Sequence, residues 1–312
     1  MLNRRILRIK AFKVMYSYAE NPSMSLKDAE AELEMSCQAV RDLYLYMLSL
    51  VGPLTAEASS RIEAARSKFN PTPEESNPNM KFVENGIAPV LNSDPDFKKL
   101  ISRKKFSWDQ NDVFLRKLYE NVRSREWFIS YMQSGKKSLK EDAELFVRIF
   151  EEELEDNEDL ATILEEMSIY WIDDLAYALS WVCKSLKAIG AGKRWEFPPL
   201  YQSDINRLSD PSVESDREFV TKLLRGAYNG YERYYQMIAE AVPKWDKDRL
   251  FVIDSVLVAM GLAEVENFPE IPNRISVNEY VEISKFYSTP KSRSFVNGLL
   301  DNLIKNNLSQ SL

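Results

Sequence analysis

Cations gather at the two ends of this chain, and the chemistry open to them is the capture of phosphate. At the start, Arg4, Arg5, Arg8, Lys10 and Lys13 all precede the first acid, Glu20. Near the end, Lys291 and Arg293 lie in Pro290-Lys-Ser-Arg-Ser-Phe295. Positive charges without counter-charges repel one another, so a bound polyanion would relieve a real cost. At the second cluster, free helix N–H groups, two hydroxyls and two cations can converge on one anion. Each cluster taken alone also fits solvated side chains on an amphipathic helix.

Catalysis has less support. The chain of 312 residues has no histidine, which removes the commonest general base and metal ligand. Its two cysteines, Cys37 and Cys183, stand far apart and suggest neither a disulfide framework nor a zinc site. The stretch Gly190-Ala-Gly192-Lys193-Arg194 fails as a phosphate loop, because Lys187 replaces the first glycine and Arg194 the magnesium-holding hydroxyl. A turn after a helix is the reading. No enzyme, cofactor or metal is expected. A net charge of −7 argues against general nucleic-acid coating but allows a small basic site on an acidic body. The absence of a membrane-length apolar run or signal pattern points to a cytoplasmic setting with no membrane contact.

The elements that must position these cations read as helices. Leu7, Ala11, Val14, Met15 and Tyr18 fall on one face of an N-terminal helix, with Arg5, Lys10 and Lys13 pointing away and Arg4 and Arg8 on the border. A second helix over 25–50 offers Leu33, Met35, Val40, Leu43, Leu45, Met47 and Leu48 to the core; Pro53 ends it, and another amphipathic helix follows to Phe69. The proline-rich stretch from Asn70 to Asp96 reads as a loop or linker. Lys98, Lys99, Arg103, Lys104 and Lys105 run into Phe106 and Trp108, aromatics expected to turn inward rather than stack on RNA. Glu141 to Glu166 carries 12 carboxylates against a single Arg148, yet its apolar residues keep helical period. A faint repeat at a spacing of 74 pairs Trp171–Asp174 with Trp245–Asp248.

At the C-terminus, helices are expected over Glu218–Ala241 and Lys244–Glu264, followed by a closing pair. Ser276 and Glu279 predict a capping box, and Ile275 and Tyr280 a hydrophobic staple. Thr289 with Pro290 predicts the next helix start. Phe295, Val296, Leu299, Leu300 and Leu303 form its buried stripe, with Gly298 placed for a close backbone approach.

Val277-Asn278-Glu279, Glu282, Lys285, Phe295-Val296-Asn297-Gly298 and Leu300-Asp301 resemble, at matching spacing, the C-terminal signature of the NusB family of transcription antitermination factors. Arg4, Arg5, Arg8, Ala11 and Met15-Tyr16-Ser17 are similar to the family's opening, and Gly226, Ile253-Asp254 and Leu262-Ala-Glu264 to its internal motifs. Ser255 replaces the arginine that follows the aspartate in the family. The resemblance covers about residues 1–50 and 213–308. It implies an all-α fold: a NusB-like helical bundle from residues 1–50 and 213–312, with inserted helices over 51–212.

The resemblance further implies a factor that binds boxA-type single-stranded RNA of ribosomal RNA leaders. Its implied partners are NusE, the small-subunit ribosomal protein ten, and the RNA polymerase elongation complex. It carries RNA contacts to Arg4, Arg5, Arg8, Lys10, Lys291, Arg293 and Phe295, and a NusE-side role to Asp254. The two basic ends should then lie side by side as one groove. A helical protein–protein adaptor without RNA binding is the alternative, using the acidic helices of 141–166. A methyltransferase fusion is disfavoured because no methyl-donor motif follows the bundle, and a plain scaffold because the terminal motifs are so specific.

Overall fold

The computed structural model describes residues 1–242 and 251–308. Among these residues every regular element is helical. In chain order they are α1 (Arg4–Glu20), α2 (Leu26–Ser49), α3 (Val51–Arg66), α4 (Pro73–Ser76), α5 (Ile87–Ser93), α6 (Pro95–Lys104), α7 (Asp112–Ser124) and α8 (Glu126–Gln133). There follow α9 (Leu139–Glu153), α10 (Glu158–Met167), α11 (Leu175–Gly190), α12 (Gln202–Arg207), α13 (Asp216–Ala241), α14 (Val252–Asn267), α15 (Asn273–Tyr287) and α16 (Ser292–Leu303). A π-helical turn, Ile304–Leu308, closes the described chain. Trp245–Asp248, half of the faint repeat, lies outside the described residues, as does Lys244, the expected start of α14.

The contacts divide the chain into two compact units, Met1–Cys37 with Pro199–Leu312, and Gln38–Pro198. The first is organised around α14, which is buried from Asp254 to Val265 on every side. A helix that is apolar all round can only be stable inside other helices. Here α1, α13, α15 and α16 each lie against it. Gly261 makes the close approach of α15 and α16 possible: a Cβ there would stand 2.7 Å from Leu300 and 3.3 Å from Tyr280. The segment before α12 belongs to this unit because Leu2 bridges it, donating to the Leu200 carbonyl at 2.6 Å and accepting from Gln202 N–H at 2.8 Å.

In the second unit, α9 and α11 lie along one another. The apolar stripe of the acidic stretch is buried at Leu145, Phe146, Ile149 and Phe150, and most of its carboxylates face outward, Asp142 and Glu153 being buried. Trp108 turns inward, stacked on Tyr46 at 4.2 Å and donating to Ser49 Oγ at 3.0 Å. Trp171 donates to the Ala39 carbonyl at 2.9 Å. Cys183 is buried, which pushes its thiol up to about 11 and leaves it unreactive.

Several local expectations are corrected. The stretch from Asn70 to Asp96 carries α4 and α5 and leads into α6, because Pro73 and Pro95 stand at helix N-termini, where the missing N–H is harmless. Met35 is 52% exposed; the buried stripe of α2 runs through Leu33, Cys37, Val40 and Tyr44, a helical spacing that excludes it. Helix α15 starts at Asn273, one turn before the expected capping box. Ser276 is therefore interior to the helix, and Ile275, 50% exposed, makes no staple. Helix α16 starts at Ser292, so Thr289 lies outside it and bonds across the turn to the Ser292 hydroxyl at 2.9 Å. Gly298 is exposed, with no atom within 4 Å of where a Cβ would be.

These two glycines should respond oppositely to substitution. Gly261→Val should destabilise by about 1–3 kcal/mol through overpacking. Gly298→Ala should stabilise by about 1 kcal/mol through helix propensity. Urea unfolding of both variants checks the pair; equal effects would contradict the packing described for α14.

Candidate nucleic-acid interface

Helix α1 carries the first basic cluster, and its side chains divide by depth. Its cap is Asn3, which accepts from the Ile6 N–H at 3.0 Å. With α13 and α14 both against it, α1 buries Leu7, Ala11, Phe12, Val14 and Met15, and also Arg8 and Lys10. The expectation that Lys10 points to solvent and that Arg8 lies on a border is corrected here. The helix is covered on more than one face, so long cationic side chains go inward.

Arg8 is held by a carboxylate with no solvent exposure. Its Nε and Nη2 each donate to Glu264 at 2.7 Å. Glu264 also accepts from Ser276 Oγ at 2.7 Å and from Tyr280 Oη at 3.0 Å. One carboxylate of α14 thus joins α1 and α15, and Tyr280 is held well above its ordinary value, chiefly by burial. Arg8 has no fork left for RNA.

Arg4 and Arg5 lie one turn earlier and nearer the surface. Arg4 pairs with Glu214 and reaches Asp216 at 3.5 Å, its guanidinium 4.6 Å from the Phe219 ring centre. The side chain of Arg5 is 52% exposed and forks onto Glu279 of α15 at 2.9 and 2.7 Å. That hydrogen-bonded pair holds the Glu279 carboxylate below its ordinary range, against partial burial.

The second cluster sits on the turn before α16. Lys291 and Arg293 are exposed, Phe295 is half-buried, and Val296 is the inward member of that adjacent pair. The turn itself is fastened from inside. Asp254 accepts from Ser288 Oγ at 2.6 Å and from Ser292 Oγ at 2.7 Å. Asp254 was expected on a partner surface; it is 3% exposed, and its carboxylate is spent on this turn. The anion beside the first turn of α16 is therefore the protein's own.

The two clusters come together along α15, where Arg5 holds Glu279 and α16 packs alongside, with Glu282 one turn further on. Its carboxylate is lowered first by a hydrogen bond from Lys285, and Arg293 and Arg5 both act on it through space. The ends of the chain converge as expected, but the single cationic groove does not form, because Glu279 and Glu282 stand among the cations. Sequence reasoning missed both acids. It gave Glu279 to a capping box and Glu282 no role. It also missed Glu264 as an anchor; the signal was an acid inside the unbroken apolar run from Val256 to Val265.

Comparison with known proteins places the chain in a family. The NusB family profile matches residues 200–305. A Clostridium botulinum protein described as transcription antitermination protein NusB is 34% identical over 105 residues, 34% of this chain and 74% of the relative. The NusB of Methylacidiphilum infernorum is 35% identical over 111 residues, covering 36% of this chain and 69% of the relative. That of Bacillus mycoides is 30% identical over 113 residues, covering 33% and 87%. No solved structure matches the chain. Among the described residues no helix is long and apolar enough to cross a membrane.

Two measurements check the electrostatics. Glu264→Ala should cost about 3–5 kcal/mol by leaving Arg8 buried and unpaired, and Arg8→Met with Glu264→Leu should recover much of it. The pH effect is smaller. A depressed carboxylate adds stability that is present above its unfolded value and lost as pH falls through its folded one. Glu279→Gln should therefore lower stability at neutral pH by less than about 1 kcal/mol and flatten its loss in acid. An acid limb unchanged in Glu279→Gln would contradict the Arg5 pairing.

Proposed function

The chain belongs to the NusB family, and we propose from this that it acts as a transcription antitermination factor that binds single-stranded RNA. In this reading the RNA is a boxA-type element of a ribosomal RNA leader, held together with NusE, and the target is the cytoplasmic RNA polymerase elongation complex. The curated NusB relatives carry the antitermination name. The observation that carries the RNA reading is the fork of Arg5 onto Glu279 of α15, the helix against which α16 and its basic first turn pack. Exposed cations from opposite ends of the chain thereby share one surface.

The function is binding, and the residues take different parts in it. Arg5, Lys291 and Arg293 would neutralise phosphates, with Arg4 at the margin and Phe295 offered to a base. Arg8 and Lys10 act from inside, by setting the pose of α1. The acids between the cations are compatible with this. Exposed ion pairs are worth only about 0–1 kcal/mol. A phosphate can displace Glu279 from Arg5 at little cost while releasing counterions. The acids then tune affinity downward and favour RNAs that make other contacts as well.

Titration of a boxA-type single-stranded RNA, with NusE present, tests the reading. Arg5→Ala should weaken binding several-fold and reduce the salt slope by about one, with thermal stability almost unchanged. Glu282→Gln should tighten binding. Normal affinity in Arg5→Ala together with no gain in Glu282→Gln would refute the assignment of this surface to RNA.

A further inference from the structure

Among the residues by which α15 and α16 resemble the family signature, two groups stand apart. Val277, Val296 and Leu300 are buried, and packing accounts for them. Asn278, Asn297, Gly298 and Asp301 are exposed, and packing does not. Three of these four line one groove of about 890 Å³ between α15 and α16, together with Arg274, Ile275 and Lys305.

Apart from Glu279, which holds Arg5, most of the polar side chains in this groove are unengaged. The side chains of Arg274, Asn278, Asn297, Asp301 and Lys305 make no hydrogen bond or ion pair among the described residues. Arginines on the exposed side of α13 behave differently: Arg217, Arg225 and Arg233 are paired with Glu34, Glu30 and Glu266. Gly298 adds an independent sign. A glycine in mid-helix costs about 1 kcal/mol relative to alanine, and nothing inside the protein requires this one.

We propose that this groove receives an unstacked base of the single-stranded RNA, with Asn278, Asn297 and Asp301 reading its hydrogen-bonding edge. The inference rests on the RNA reading above and deepens it by locating base specificity. An asparagine amide sets a donor beside an acceptor, which matches the edge of a base. A carboxylate accepts from an exocyclic amino group but repels phosphate, so Asp301 suits a base and not a backbone. Ile275 supplies an apolar surface for the ring, and Arg274 and Lys305 stand ready for the flanking phosphates. The groove is continuous with the basic surface, because Glu279 lines it and holds Arg5. A protein segment fits less well: Ile275 is the one exposed large apolar side chain in the lining.

The probe is a set of single-stranded RNAs of about 12 nucleotides, identical except for one abasic site moved along the strand. Binding to the full chain, with NusE present, is measured for the wild type and for Asn278→Ala with Asn297→Ala. One abasic position should weaken wild-type binding about tenfold. In the double variant the intact RNA should bind about tenfold more weakly, and that abasic position should make no further difference. Both substituted side chains are exposed, so the unfolding midpoint should stay unchanged. Full abasic sensitivity in the double variant, or none at any position in the wild type, would overturn the base site while leaving RNA binding intact. Loss of NusE binding with abasic sensitivity retained would also overturn it and assign the groove to protein. No RNA binding by the wild type would refute the underlying RNA reading instead.

Discussion

A carboxylate with no access to solvent is tolerable only when its lone pairs are used, and Glu264 meets that condition. Two bonds from Arg8, one from Ser276 and one from Tyr280 surround it, all between 2.7 and 3.0 Å. Such a cluster adds little net stability compared with an apolar core of the same shape, but it is costly to break. What it supplies is position. Helix α1 can lie against α14 and α15 in one register, the one that puts Arg8 on Glu264. Arg4 and Arg5, a turn earlier, are thereby fixed at the surface.

A second buried acid does the same for the other basic segment. Asp254 lies ten residues before Glu264 on α14, about 15 Å along the axis. Through Ser288 and Ser292 it fastens the turn that carries Lys291 and Arg293. The central helix thus holds one anchor near each end, each an acid in an apolar element. The outer surface inherits its arrangement from them: cations from both chain ends around α15, with Glu279 and Glu282 among them. Moderate phosphate affinity combined with a groove of unengaged amides is what a protein needs if bases are to matter as well as charge.

Much of this was legible in the sequence and some was not, for identifiable reasons. Helical period located α1, α9 and α16 because each has a polar face to contrast with its apolar one. In α14 that contrast vanishes, so the sequence could not tell which neighbours would cover which side, or that Glu264 would be enclosed. The capping reading of Ser276 failed because α15 begins a turn earlier, after Pro272. The linker reading failed because Pro73 and Pro95 begin helices. Arg8 was placed on the border and Lys10 outside, on the assumption of a single buried face. Asn278 and Asn297 were read as parts of the family signature, and only the structure shows that the fold makes no use of their side chains.

The central claim is that RNA binds the first unit across α1, α15 and α16. Photo-crosslinking of a thiouridine-labelled single-stranded RNA to the full chain, with the adducts mapped by mass spectrometry, tests it most directly. The account predicts adducts in residues 4–5, 274–279 and 291–301. Adducts confined to residues 38–198 would contradict it.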